Sequence, residues 1–300
     1  MIINSIETLS VIVFSKDRPL QLQAYLKSLI YFSKIEQSSI SVLYKYNLRI
    51  SYQKLLEEFP EIHWVKENVF FNDLTYLINR STNYIMFGCD DVIFNGWIDI
   101  PVALNILSKN PNVFGFSLRL GENIKPVLPK IHKFENHLEW NWKTANVINW
   151  SYPWELDSTI YRKINVIEIL AQLNPERIKN PNFLESDVAE HPNLFIKKEG
   201  LASFKNGKCI VLTINRVQDD FQNSFDNSFN TDIKSLYELH LNDNYIDFQA
   251  ISKIPTSKIH VGVKYFVLAG NSIPHNGRLK ILVYYAKNIY LSFKRRCFHN

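Results

Sequence analysis

Two adjacent carboxylates, Asp90 and Asp91, interrupt the apolar stretch YIMFGCDDVIF at residues 84–94. Side by side they repel, so each needs solvent, a basic partner or a cation. If the backbone stays extended through them, the two side chains point to opposite sides. One can then hold a metal ion while the other bonds a sugar hydroxyl or a metal-bound water. A divalent ion held by few protein carboxylates, with its other positions left to phosphates, is the usual arrangement for Mg2+ or Mn2+ with a nucleotide. Such an ion neutralises a diphosphate and stabilises it as a leaving group. The alternative is a turn pair that only ends a strand.

The elements around the pair read as an α/β domain with a mostly parallel central sheet flanked by helices, because short apolar runs alternate with helical patterns. Strands are expected at 9–14, 40–46, 62–65, 84–87, 113–120 and 208–214, with an alternating strand after His260. Helices are expected after SKDRP, at 51–59, from about 73, and at 102–108, 162–173 and 233–241. Pro19 suits a first helical turn, with Asp17 or Ser15 as its cap. Residues 122–158 lack periodicity and hold several tryptophans, which suggests a binding surface. There is no GxGxxG and no GxxxxGK[ST], so a diphosphate bound here needs a cation in place of a glycine cradle.

Composition narrows the class further. The net charge is +5, but residues 278–300 carry six Lys or Arg and no Asp or Glu, leaving 28 basic against 29 acidic residues elsewhere. The basic character therefore belongs to the tail, and no nucleic-acid motif accompanies it. Three scattered cysteines make neither a disulfide framework nor a metal knuckle, and point to a reducing compartment. No secretory leader or membrane span is apparent, so a cytoplasmic protein is expected. Leu279, Leu282, Val283, Ala286, Ile289, Tyr290 and Phe293 recur at helical spacing, with Lys280, Lys287 and Lys294 on another face. That is the pattern of an amphipathic helix lying on an anionic membrane at 278–296, or of a terminal helix packed on its own domain. The expected division is a domain at 1–265 and a basic tail at 266–300.

The motifs VIVFSKDRPLQLQAYLKSL, YIMFGCDDVIF, FSLRLG, YPWELDSTIYRK and NPNFLE, in this order, resemble the nucleotide-sugar-dependent glycosyltransferases of the GT-A type. The closest likeness is to bacterial and viral enzymes that build surface polysaccharides, over residues 8–265. The resemblance implies a GT-A fold, a Mn2+ or Mg2+ ion and a nucleoside-diphosphate sugar, with UDP favoured. Cys89 stands at the family's first acidic position. Asp91 is then the direct metal ligand, and Asp90 faces the ribose or a metal-bound water. A late His often completes such a site; His260 is the candidate, with His191 and His240 as alternatives.

The resemblance further implies that the loop after the first strand holds base and ribose, through Phe14, Ser15, Asp17 and Arg18. Lys66 and Asp73 should lie near the same pocket, although Asp17 and Asp73 also suit helix caps. Arg119 would clamp phosphate or hold a carboxylate of the site. Tyr152, Trp154, Asp157 and Arg162 would form the wall between donor sugar and acceptor; Trp140, Trp142 and Trp150 add rings. Glu185 is the candidate base that takes the proton from the attacking hydroxyl, with Asp157 second and inversion of configuration favoured. The expected acceptor is a glycan or lipid-linked oligosaccharide, reached from the inner membrane face. A non-catalytic nucleotide- or glycan-binding protein is the rival reading, and a nucleotidyltransferase a third.

Overall fold

The computed structural model describes residues 8–47, 49–128, 130–195, 198–217 and 231–270. Leu9–Lys16 forms strand β1, whose Val11, Ile12 and Val13 are wholly buried, as suits a strand paired on both edges and covered on both faces. It leads into helix α1 (Pro19–Ser33), where Pro19 fits the first turn because an N–H there would find no intrahelical acceptor. Neither Ser15 nor Asp17 caps this helix; the N-cap position is Arg18. Asp17 instead turns the chain at φ 57°, and its Oδ1 accepts from Asn47 N at 3.0 Å.

The chain continues through β2 (Ile40–Lys45), α2 (Gln53–Glu58), β3 (His63–Lys66), α3 (Phe70–Arg80), β4 (Tyr84–Cys89), β5 (Val92–Phe94), α4 (Ile100–Lys109) and β6 (Val113–Ser117). Then come β7 (His132–Lys133), β8 (His137–Asn141), β9 (Thr159–Arg162), α5 (Lys163–Leu170), α6 (Pro181–Ala189), β10 (Gly200–Phe204) and β11 (Cys209–Leu212). The described part ends with α7 (Ile233–Leu241), β12 (Asn244–Ile246), α8 (Phe248–Ile251), β13 (His260–Val261) and β14 (Leu268–Gly270).

Nine strands make one sheet in the order β3-β2-β1-β4-β9-β6-β10-β8-β7. Only β8 and β9 run against the others, so the sheet is mainly parallel, as the alternating pattern implied. β1 and β4 pair in register Phe14↔Cys89. The loop after β1 and the two aspartates after β4 therefore leave the sheet side by side, at the carboxyl ends where open α/β sheets place ligands. Gly88 permits the close packing of α1 on β4, since a Cβ there would overlap the Tyr25 hydroxyl.

A smaller layer covers the other side of α1. β5, β11 and β13 form a three-stranded sheet and β12 pairs with β14. Leu20 and Ala24 of α1 share a separate core with Ile93, Leu212, Leu236 and Leu268. Caught between two layers, α1 buries even its polar Gln21, Gln23 and Ser28.

Several expectations change. The segment TIYR is not the start of a helix but β9, and the helix after it covers only 163–170. The alternating strand expected after His260 is two residues long, followed by a 3-10 turn at Val263–Tyr265, because Val261, Val263, Tyr265 and Phe266 all enter the smaller core. The tryptophans of the 122–158 stretch form a packed layer, while Ile148, Asn149, Tyr152 and Asp157 of the same stretch line a cavity. Trp140, Trp150 and Trp154 are at most 2% exposed. The Trp140 Nε1–H donates to Trp150 O at 2.8 Å, and Trp154 stacks on Tyr161 with centroids 4.9 Å apart. No helix among the described residues is long and apolar enough to cross a membrane. The expected amphipathic tail at 278–296 lies outside the described residues.

Candidate functional site

At the carboxyl ends of β1 and β4 opens a cavity of about 920 Å³, whose lining includes a first group, Ser15, Arg18, Asp90 and Asp91, and a second, Arg119, Tyr152, Asp157 and Glu185. Such a volume suits a ligand larger than a single sugar.

In the first group the aspartate pair is bridged by one guanidinium. The Arg18 Nη1–H group donates to Asp90 Oδ1 and to Asp91 Oδ2, both at 3.0 Å, while Nη2 donates to Asn215 O at 2.6 Å. Asp90 Oδ2 accepts from Ser15 Oγ at 2.8 Å and from Lys16 N at 3.3 Å. Because the single Ser15 hydroxyl hydrogen goes to Asp90, the contact of 2.9 Å between Ser15 Oγ and Tyr52 Oη must be donated by Tyr52. Tyr52 in turn accepts from Arg18 N at 3.1 Å. Burial pushes the Asp90 carboxyl up to about 6, against the pull of Arg18.

The second group has more acid than base. Arg119, just past β6, places Nε 3.4 Å from Glu155 Oε2 and Nη1 3.9 Å from Asp157 Oδ2. Glu155, 2% exposed, also accepts from Asp157 N at 2.5 Å and from the Thr159 hydroxyl. Glu185 is the fifth residue of α6, a helix begun by Pro181 and capped by Asn180, whose Oδ1 accepts from Phe183 N at 3.2 Å. Burial and the nearby Asp157 push the Glu185 carboxyl up to about 8, with Arg119 opposing and the Tyr152 hydroxyl hydrogen-bonded to it. Directly after Asp157, Ser158 takes φ 80°, held by its N–H to Phe87 O at 2.9 Å and by Leu118 N–H to its own carbonyl at 3.1 Å. Strain of this kind persists only where surrounding structure fixes it.

Of the residues singled out in the sequence, Phe14, Ser15, Arg18, Asp90, Asp91, Arg119, Tyr152, Asp157, Glu185 and His260 all line this one cavity, as does Cys89. Five others are placed elsewhere. Asp17 makes the turn described above. The Lys66 side chain points to solvent and donates to the Tyr46 hydroxyl at 2.9 Å. Asp73 closes the start of α3, accepting from Asn68 N at 2.7 Å and Val69 N at 2.9 Å. Trp154 belongs to the packed aromatic layer. Arg162 donates to Val113 O at 2.6 Å, to Asn110 O at 2.8 Å and to Leu107 O, satisfying carbonyls at the end of α4. Of the alternative histidines, His240 is buried in α7 and His191 Nδ1 lies 2.6 Å from Asp187 O; neither lines the cavity.

Residues not singled out also stand in or behind the site. Tyr52 carries no sequence signal that separates it from other core tyrosines. Glu155 does: in WELD it lies two residues before Asp157, so an extended chain puts both carboxylates on one side and Leu156 on the other.

Among the described residues no group of three His, Cys, Asp or Glu side chains forms a metal cage. The donors present suit an ion that takes most of its ligands from phosphate and water. Asp91 and His260 both line the cavity, and the Asp91 charge acts on the His260 ring. Asp90, engaged through both oxygens by protein donors, is the less available of the pair.

No family model matches the chain. It is 28% identical over 254 residues to the bifunctional glycosyltransferase pgtA of Dictyostelium discoideum, a match that takes in 71% of this chain and 33% of that protein. The chain thus spans about a third of the length of this curated relative. Solved structures with a partial overlap include S. aureus TarS, at 14% identity and a TM-score of 0.46 over 67% of this chain and 36% of that one. TarS 1-349 in complex with UDP overlaps at 12% identity and 0.46, over 67% and 59% of the two chains. The mannosyltransferase PcManGT from Pyrobaculum calidifontis, in complex with GDP-Man and Mn2+, overlaps at 9% identity and 0.38, over 60% and 51%. By sequence, this mixed α/β chain is a relative of a glycosyltransferase.

Proposed function

We infer that the chain transfers a sugar from a nucleoside-diphosphate donor, with UDP the nucleotide to test first, to a hydroxyl of a glycan or lipid-linked oligosaccharide. One observation carries this reading. A single cavity joins an aspartate pair bridged by Arg18 to Glu185, a buried carboxyl that its surroundings push up to about 8. The first is what a diphosphate needs, and the second is what an attacking hydroxyl needs.

In this reading Phe14 and Ser15 face the nucleoside, and Arg18 and Lys16 supply positive charge beside the departing diphosphate. Asp91 and His260 would hold Mn2+ or Mg2+, which when bound neutralises charge on that leaving group. Glu185, once ionised, takes the proton from the acceptor hydroxyl as it attacks the anomeric carbon from the face opposite the diphosphate, so configuration inverts. Asp157 and Tyr152 orient the sugars between the two groups. An acceptor in surface polysaccharide synthesis at the inner membrane face completes the proposal, with 278–296 as the candidate membrane contact.

A second reading, a binding protein without turnover, draws on the fact that Arg18 already bridges both aspartates. A thermal-shift panel of nucleotide sugars with and without Mn2+, followed by donor hydrolysis with the best binder, separates the two. Stabilisation with hydrolysis is the expected result. Stabilisation alone favours the second reading, and no stabilisation by any nucleotide sugar overturns both.

A further inference from the structure

We propose that residues 279–293, which lie outside the described part of the chain, dock their apolar stripe on an aromatic patch beside the second half of α1. The inference stands independently of the transferase reading, because no residue of the patch lines the 920 Å³ cavity.

Three large rings stand out of the surface there. Trp97 is 57% exposed, Tyr31 38% and Tyr245 37%, whereas every other tryptophan is buried or half-buried. The rings are joined. Tyr31 stacks on Trp97 with centroids 5.5 Å apart and meets Phe248 edge-on, also at 5.5 Å. Phe248, Tyr245 and Lys27 line one hollow of about 420 Å³. Lys27, Tyr31 and Lys34 follow one another along α1 and its C-cap at spacings of four and three, so they share a face over roughly 10 Å of helix. A connected ring surface of this kind on a folded domain marks a place where something packs.

Charge argues for an apolar occupant rather than an anionic one. Lys27 pairs with Glu58 at 2.7 Å, and the Lys34 ammonium lies 4.9 Å from the centroids of both Tyr31 and Trp97. Against Lys34 and Lys253 stand the exposed Glu36 and Asp99, two residues after Lys34 and Trp97. The patch is therefore near neutral, and what it offers is ring area. Connectivity names the occupant. β14 pairs with β12 through Asn244↔Gly270 and Tyr245↔Ala269, so the chain leaves the described part beside Tyr245. From there the eight residues 271–278 can span up to roughly 27 Å, and fifteen helical residues measure about 22 Å, enough to reach and cover the patch. A lone helix of this length is marginal in water, and burying the stripe from Leu279 to Phe293 on the rings stabilises it. Docked in this way, the segment keeps Lys280, Lys287 and Lys294 off the seam, where they can meet an anionic surface through charge.

The test is amide hydrogen exchange in the full chain, without lipid, comparing the wild type with the double variant Trp97→Ser, Tyr245→Ser. Amides of 279–293 should exchange about 10²-fold faster in the double variant, because the undocked segment loses its support. Equal exchange in the two proteins overturns the inference. The reciprocal variant, Leu282→Asp with Ile289→Asp, leaves the described domain untouched and should uncover Trp97. Acrylamide should then quench tryptophan emission more strongly than in the wild type, and the difference should vanish in a Trp97→Phe background. Unchanged quenching overturns the inference as well. Two other occupants are outcomes of the same measurements. Protection of 279–293 that is lost on dilution assigns the patch to a second copy of the chain. Protection that arises only with vesicles of phosphatidylglycerol and phosphatidylcholine assigns the stripe to a lipid surface. Either result overturns the inference.

Discussion

The two arginine-centred clusters that line the cavity are built from the same parts in different proportions. Arg18 faces two carboxylates, and Ser15, Lys16 N and Tyr52 complete the bonding around Asp90. Arg119 faces three, Glu155, Asp157 and Glu185, within a buried site. The first set has one surplus carboxylate and is densely bonded around Asp90. The second has two surplus carboxylates, and burial and Asp157 push the Glu185 carboxyl up to about 8. Densely bonded charge suits holding a diphosphate; a carboxyl raised toward neutrality suits moving a proton.

The largest test of this contrast is the loss of the proton acceptor. Glu185→Gln should lower kcat by about 10³-fold, within the usual range for general-base removal, while leaving donor affinity unchanged in a binding titration. A variant that loses donor binding as well would put Glu185 in the donor site and erase the distinction between the clusters. Next is Arg18→Met, which leaves two buried carboxylates without their shared cation. Chemical denaturation at pH 7 should show a loss of about 3 kcal/mol, and lowering the pH should recover part of it as Asp90 takes a proton. A loss that ignores pH would contradict the charge argument.

The proton on Glu185 has its own signature in stability. Its folded pKa lies near 8 and its unfolded value near 4.5, so the folded state binds more protons across that window. Stability of the ligand-free protein should therefore fall as pH rises from about 4.5 to 8. Glu185→Gln should flatten that part of the curve; an unchanged slope would assign it to other groups. The smallest effect belongs to Tyr52→Phe, which deletes the hydroxyl that donates to Ser15 and accepts from Arg18. A loss of about 1 kcal/mol by denaturation is expected, with a weaker donor affinity, because Asp90 and Arg18 lose their common support.

How much of this was legible in the sequence depended on how local each cause is. β1, β4 and α4 are apolar or periodic over their whole length, and the pair after β4 marks itself. By contrast β5, β7, β9 and β13 are four residues or fewer, too short for a period to emerge, and exist because neighbouring strands pair with them. Trp154 reads as a site residue because aromatic rings suit sugars, and Arg162 because it stands in the YPWELDSTIYRK stretch that resembles a family motif. Their partners, Tyr161 and the last carbonyls of α4, are supplied by the tertiary fold. Asp73 resolved in favour of helix closure for the same reason, and Asp17 became a turn residue with φ 57°. Glu185 and Asp157 were found because NPNFLE and YPWELDSTIYRK resemble family motifs, and Glu155 was passed over although it stands two residues before Asp157 in the second of them.

The most direct measurement of the central claim is a calorimetric titration of the best nucleotide-sugar donor into wild-type and Glu185→Gln protein, paired with turnover of the same samples. The account requires equal affinities, with turnover only in the wild type. Equal turnover in both proteins, or an absence of donor binding in the wild type, would contradict it.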